Sequence, residues 1–436
     1  MSDYMFMLEN HLNSNQNRVL ALVEAAAAEA GVSLFLTGGA IRDMLGGYPI
    51  RDLDFTVEGN AVKLAKALAQ KAGATITHLD ENKKCVELLF PGGVTVEMAM
   101  ARQERYAKPG AKAQVTPATI HEDLRGRDFT VNALALSLNR ASRGLLLDPT
   151  NGLSELERKE LRTTGNYTLY DNPVRIFRLI RFKVRLGYQI AERTQMQYEN
   201  AKNAEVEKSI SPHSLLAELR KMASDPNLAD LFTAFEQEKL LPLISPLLTG
   251  DRVNHASFSK LQKAVQLLPF GIDMHIDYPA IFFYVLTEKF SAKEKAAFTA
   301  ELGMDKDLAD AWQKLEAKSK KLEKDLQSAK LQKPSALYAL LSKSPGEQIL
   351  FLLVKSTQRL VHDRIKNYLQ KYLPLAQEVS DKEVEATGVT PHTPKFQKMK
   401  DQMIATKLDA RPKKVVEPVP EAAPAAPPVT AGSGKR

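Results

Sequence analysis

The chain has 436 residues, with 60 Lys and Arg against 52 Asp and Glu, for a formal net charge of +8 and a pI near 9.2. That length can hold about two to four domains with a sizeable core, and the positive balance suits a polyanionic partner such as RNA, although it serves solubility equally well. Cys85 is the only cysteine, which excludes an intramolecular disulfide and a Cys-rich zinc site and suits a reducing cytosol. The polar stretch Asp3 to Asn17 lacks an apolar signal core, and no apolar run is long enough to span a bilayer, so the expectation is a cytoplasmic protein with no membrane partner.

In chain order, residues 16–30 are an alanine-rich helix stopped by Gly31. Short β-branched and apolar runs follow at 33–37, 53–57, 74–77, 85–90 and 94–98, with a helical stretch at 60–72, which predicts a small mixed sheet flanked by helices. Within it lies Leu36-Thr37-Gly38-Gly39-Ala40-Ile41-Arg42-Asp43, then Arg51-Asp52-Leu53-Asp54-Phe55. Strand residues two apart point the same way, so Asp52 and Asp54 can hold one or two metal ions and clamp an in-line phosphoryl displacement. Gly38 and Gly39 let bare backbone approach an anion, and Arg42 adds a charged fork for a triphosphate. An Asp-x-Asp pair alone is most often a solvated turn; the glycine block before it shifts the reading toward phosphate and metal.

This block resembles the head of the class II tRNA nucleotidyltransferase and poly(A) polymerase family, whose pattern is a Gly-Gly-x-Val-Arg-Asp turn followed by an Asp-x-Asp strand. The resemblance implies an α+β fold class: a small nucleotidyltransferase-type mixed-sheet head, then an all-helical neck, body and tail. It also implies Mg²⁺ as cofactor, held by Asp52 and Asp54. Glu97 falls where this superfamily can carry a third acid, but a strand Glu facing solvent is the commoner explanation. Residues 102–121, with Pro109-Gly110 and Pro117, read as a mixed-charge loop. In the resembling family this interval helps switch the site from C to A addition, and its length gives no sign of an enzyme restricted to C.

Next comes Arg127-Asp128-Phe129-Thr130-Val131-Asn132-Ala133, which is similar to the family's second block and puts Arg127, Asp128 and Asn132 at sugar- and phosphate-reading positions. Alternatively Asp128 caps an amphipathic helix that buries Phe129, Val131 and Leu134. In Asp171-Asn172-Pro173-Val174-Arg175-Ile176-Phe177-Arg178, Asn172 is a good N-cap, Pro173 suits the first helical position and Gly187 the stop. Arg175, Arg178, Arg181 and Arg185 share one face, which in an isolated helix would be solvated. The segment looks like the family's Glu-Asp-x-x-Arg motif, which reads the incoming base without a template, so the resemblance places Asp171, Asn172, Arg175 and Arg178 at the nucleotide. The family's central Asp is Asn172 here.

Beyond Gly187 strand signals cease. Ser211 to Lys221 keeps the family's Glu-Leu pair as Glu218-Leu219, and His213 has no partner at metal-ligand spacing. Residues 225–375 read as successive helices; the lysine-rich stretch Lys314 to Lys333 is a long solvated helix or, alternatively, a track along tRNA phosphates. Residues 379–411 are similar to the family's tail, and 412–436, rich in Pro and Ala, read as disordered. The expected domains are a head at 1–150, neck at 151–224, body at 225–375, tail at 376–411 and the disordered end. The expected activity is addition or repair of the 3′ CCA of tRNA from CTP and ATP, with tRNA bound through its acceptor and T arm and no obligate protein partner. The rivals are a poly(A) polymerase of the same family and a non-catalytic RNA-binding module, against which the presence of both Asp52 and Asp54 speaks.

Overall fold

A computed structural model describes residues 3–269, 274–391 and 393–410; the expected disordered end at 412–436 lies outside them. Helices α1 (Asp3–His11) and α2 (Ser14–Ala30) open the chain, the second capped by an Asn13/Gln16 capping box and closed by Gly31 at φ 64°, a left-handed stop that glycine adopts without strain. Then follow β1 (Ser33–Thr37), α3 (Gly39–Leu45), β2 (Leu53–Glu58), α4 (Ala61–Ala72), β3 (Thr75–Asp80), β4 (Cys85–Phe90) and β5 (Val94–Met100). These elements match the expected runs to within a few residues.

The interval 102–121 is not a loop. It forms the hairpin β6 (Arg102–Arg105) and β7 (Gln114–Pro117), then the start of α5 (Ile120–Arg125). Its strands lack apolar alternation and are fixed instead by polar contacts, the Arg102 amide donating to Asp123 Oδ1 at 3.1 Å and its Nε to Glu104 Oε1 at 2.8 Å. Nor does Asp128 begin an α-helix: a 3₁₀ turn at Thr130–Asn132 leads into β8 (Ala135–Ser137) and β9 (Leu146–Leu147), although Phe129, Val131 and Leu134 are buried as expected.

The main sheet runs β3-β4-β5-β2-β1-β8-β9, antiparallel except for β2 beside β5, where Asp54 pairs with Glu97. Along β2, Leu53, Phe55 and Val57 enter the core, and the period of two sends Asp54, Thr56 and Glu58 to the opposite face. That opposite face is the floor of the candidate site.

After α6 (Gly152–Arg158) come β10 (Glu160–Leu161), α7 (Thr168–Asp171), α8 (Val174–Leu186), β11 (Gln189–Ile190), α9 (Glu192–Asn203), α10 (Pro212–Met222) and α11 (Leu228–Gln237). A parallel β10/β11 pair therefore interrupts the otherwise helical neck. The body continues as helices around an aromatic core in which Phe232 and Phe258 stack with centroids 3.9 Å apart. The lysine-rich stretch is shorter as a helix than expected, spanning Leu315–Leu326 with Leu315, Ser319, Leu322 and Leu326 buried; a new helix begins at Pro334. One apolar core runs from Met5 to Leu373, whereas Val379, Val384, Val389, Phe396, Ile404 and Leu408 form a separate small cluster in the tail. No helix among the described residues is long and apolar enough to cross a membrane.

Candidate active site

The turn after β1 begins with Gly38 at φ 63°, whose amide donates to Leu134 O at 3.1 Å. A Cβ on Gly39 would lie 3.1 Å from Asp54 Oδ2, and one on Gly38 3.0 Å from Arg127 Nη1. Absence of side chains at both positions is therefore what lets the turn, the Asp54 carboxylate and the Arg127 guanidinium converge. Arg127 is held by Asp123 Oδ2 at 2.9 Å, Thr56 Oγ1 at 2.9 Å and Thr37 Oγ1 at 3.2 Å, so its charge is fixed at the rim of the turn.

Asp52, on the bend just before β2, keeps an open face to solvent, while Asp54 sits half-buried behind it. Burial, then the charges of Glu97 and Asp52, push the Asp54 carboxyl up to about 7. When both are ionised, Asp52 and Asp54 repel one another, a cost that a cation between them would relieve. Glu97 does not supply a third free carboxylate: Lys221 Nζ of α10 lies 3.2 Å from its Oε2, and the Cys85 thiol donates to its Oε1 at 3.3 Å. Lys221, then burial opposing it, leaves Glu97 at about 2. Among the described residues no cluster of three or more His, Cys, Asp or Glu side chains stands in ligating arrangement.

Arg42, Asn132, Asp128 and Arg178, all expected at the nucleotide, form one continuous polar chain. Arg42, 3% exposed, lies behind the glycine turn, stacked over Phe182 with its Cζ 5.0 Å from the ring centroid. It donates to Asp43 Oδ1 at 2.6 Å and to Asn132 Oδ1 at 2.6 Å. Asn132 Nδ2 donates to Asp128 Oδ1 at 3.0 Å, and Arg178 Nη1 to Asp128 Oδ2 at 2.9 Å. Arg178 and Arg181 both donate to Glu218 of α10, at 2.9 Å each, and Arg185 donates to Asp43 Oδ2 at 3.1 Å. Burial would raise the Asp128 carboxyl, but Arg178 and Arg175 outweigh it and hold the group well below the usual carboxylate range. The arginine face of α8 is thus an internal seam rather than a solvated stripe, and Arg42 and Arg178 brace the site instead of opening onto it.

Arg175 is also buried; its Nη2 donates to Gly126 O at 3.1 Å, while Nε has no partner among the described residues. Asn172 does not cap α8, whose preceding residue Pro173 makes no side-chain cap. Its Nδ2 instead donates to Tyr106 Oη at 3.1 Å, and that hydroxyl donates to Glu104 Oε2 at 2.6 Å. Asp171, ending α7, is raised by burial against the pull of Arg175. Sequence reasoning assigned no role to Asp43, Glu104, Tyr106, Asp123, Glu218 or Lys221, although Asp43 stands in the glycine block and Glu218 and Lys221 stand in the segment with the Glu-Leu pair.

Residues 34–162 match the poly A polymerase head domain. The chain is similar to the A-adding tRNA nucleotidyltransferase of Aquifex aeolicus, at 29% identity over 77% of this chain and 40% of that protein. It is likewise similar to the CC-adding tRNA nucleotidyltransferase of Deinococcus radiodurans, at 37% identity over 38% of this chain and 45% of that protein. A multifunctional CCA protein of Stenotrophomonas maltophilia is 32% identical over 50% of this chain and 52% of its own length, so the chain spans about half or less of these curated relatives. Among solved structures, a CCA-adding enzyme in an apo form shares the fold with TM-score 0.53 and 22% identity, covering 95% of this chain and 96% of that one. Residues 34–162, which carry the Gly-Gly turn and the Asp-x-Asp strand, are thus similar to a poly A polymerase head domain, and the fold of the chain is that of the CCA-adding enzyme structure.

Proposed function

We propose that the protein is a template-independent nucleotidyltransferase that adds or repairs the 3′-terminal CCA of tRNA from CTP and ATP, with release of pyrophosphate. The observation that carries this reading is the convergence of the Asp54 carboxylate and Arg127 on a side-chain-free glycine turn. Relatives named as A-adding, CC-adding and CCA enzymes support tRNA as the acceptor.

The residues fit a divalent metal: two hard oxygen donors, Asp52 and Asp54, stand in mutual repulsion, and Asp54 is pushed up to about 7 by burial and by neighbouring acids. They would hold Mg²⁺, with substrate oxygens and water as the other ligands. When bound, the metal supplies Lewis-acid stabilisation of charge on the phosphoryl group. The chain's own contribution is positioning. Gly38, Gly39 and Arg127 would face the triphosphate, Asp128 the ribose, and Asn172 with Arg175 and Asp171 the base edge. Arg42, Asn132 and Arg178 would hold these groups in place, because positioning and fixed charge supply most of the acceleration in such transfers. The division into head 1–150, neck 151–224, body 225–375 and tail 376–411, and a cytosolic location, belong to the same proposal.

Incubating the protein with tRNA lacking CCA, with CTP and ATP supplied separately and together, tests it. The expected product is tRNA ending in CCA. Addition of C alone or A alone would narrow the activity to one of the specialised relatives' names, whereas ATP-only extension of RNA in general would make it a poly(A) polymerase.

A further inference from the structure

Asn172 stands where the resembling family has an aspartate, and an asparagine has a defect that an aspartate lacks. Its two ends differ, one accepting hydrogen bonds and the other donating them. An acceptor at the base edge suits the amino groups of C and A; a donor suits the carbonyl of U. A freely turning amide would therefore read either.

The contacts around Asn172 remove that freedom. Glu104 has both oxygens engaged, Oε1 by Arg102 Nε at 2.8 Å and Oε2 by Tyr106 Oη at 2.6 Å. Burial would raise this carboxyl, yet Arg102 and the hydrogen bonds of Tyr106 and Arg102 bring it to about 2, so it is ionised and accepts only. The single phenolic hydrogen of Tyr106 is thereby committed to Glu104, and burial followed by the Glu104 charge keeps that proton on. The phenol oxygen is left as an acceptor, which requires a donor from Asn172, 3.1 Å away. That donor is the NH₂ group. Turning the amide over would set Oδ1 against a phenol oxygen with no hydrogen between them.

We propose that Tyr106, held by Glu104 and Arg102 of the β6 hairpin, locks the Asn172 amide with Oδ1 toward the base, so that this asparagine reads nucleotides as an aspartate would. Tyr106 is a positioning residue in this scheme, acting through Asn172, and the inference rests on the placement of Asn172 at the base edge made above. It gives the hairpin a role in selectivity and predicts that the wild-type enzyme discriminates against UTP despite lacking the carboxylate.

The test measures UTP against CTP incorporation into tRNA lacking CCA, as a ratio of single-turnover rates. Tyr106→Phe should relax the discrimination about tenfold, the scale of one hydrogen bond exchanged for a mismatched pair. Combining Tyr106→Phe with Asn172→Asp should restore it, since a carboxylate has no donor end to present. If Tyr106→Phe discriminates like wild type while Asn172→Ala relaxes the ratio, the lock is wrong and the base-reading placement stands. If neither variant changes the ratio, the placement itself fails. Relaxation in Tyr106→Phe without rescue by Asn172→Asp would trace the effect to a distorted hairpin and overturn the lock. Should a variant add nucleotide too slowly to time, competition of CTP and UTP for binding reads the same ratio.

Discussion

Asp54 carries a proton more tightly in the folded protein, at about 7, than in an unfolded chain, near 3.8. A carboxyl shifted upward favours the fold at low pH, and that contribution is lost as pH climbs from about 4 to 7. In EDTA at pH 8, Asp54→Asn should therefore unfold at a higher denaturant concentration than wild type, by about 1–3 kcal/mol. The gap should close near pH 4, and adding a divalent cation at pH 8 should stabilise wild type more than the variant. A wild type and variant that respond alike to pH and cation would mean that Asp54 is not the strained acid described. For catalysis, Asp52→Ala and Asp54→Ala should each lower nucleotide addition at least a hundredfold, on the order of the several kcal/mol such sites supply, while tRNA binding changes little. On the proposed function RNA affinity should come chiefly from basic residues elsewhere, so filter binding and single-turnover rates measured side by side separate the two effects.

At the scale of elements, α10 does more than its sequence suggests. Its Glu218, 1% exposed, neutralises Arg178 and Arg181, and its Lys221 answers Glu97 across the seam between neck and sheet. Glu218→Ala strands two arginines, one of them buried, and should destabilise the protein by about 3–5 kcal/mol in chemical denaturation; a loss below about 1 kcal/mol would show the arginines finding other partners. Rates should fall too, because Asp128 shares Arg178 with Glu218. None of these pairings was legible in the sequence, since Glu218 meets Arg178 forty positions away and no local pattern encodes such a distance. The glycine turn, the Asp-x-Asp strand, the Gly31 stop and the apolar strands were legible because they follow from backbone geometry and a period of two, which act over a few residues. The β6/β7 hairpin escaped notice for the converse reason: Arg102-Gln103-Glu104-Arg105 shows no apolar alternation, and its order depends on partners in α5 and beside α8. The α8 arginines were legible as one face, but nothing local reveals that Asp43, Asp128 and Glu218 gather around them.

For the molecule as a whole, the tail has its own small core and touches the body through contacts such as Ser335 with Asp409, at 2.7 Å from Oγ to Oδ2. Truncation before Val379 should leave the main core folded and raise the KM for tRNA while sparing the rate at saturating RNA; an unchanged KM would remove the tail from RNA recognition. Cutting after Arg411 removes only residues whose composition offers little to pack, and should alter neither denaturation nor addition. The line of polar groups from Arg42 through Asn132 and Asp128 to Arg178 and Glu218 has a further bearing on how this protein can be recombined with its relatives. A graft that exchanged only residues 1–150 would bring in a foreign Asp43 and Asp128 opposite arginines selected for other neighbours, inside a region from which water is largely excluded. Successful chimeras should therefore move the sheet together with α8 and α10 as a single cassette, with the crossover placed beyond residue 224.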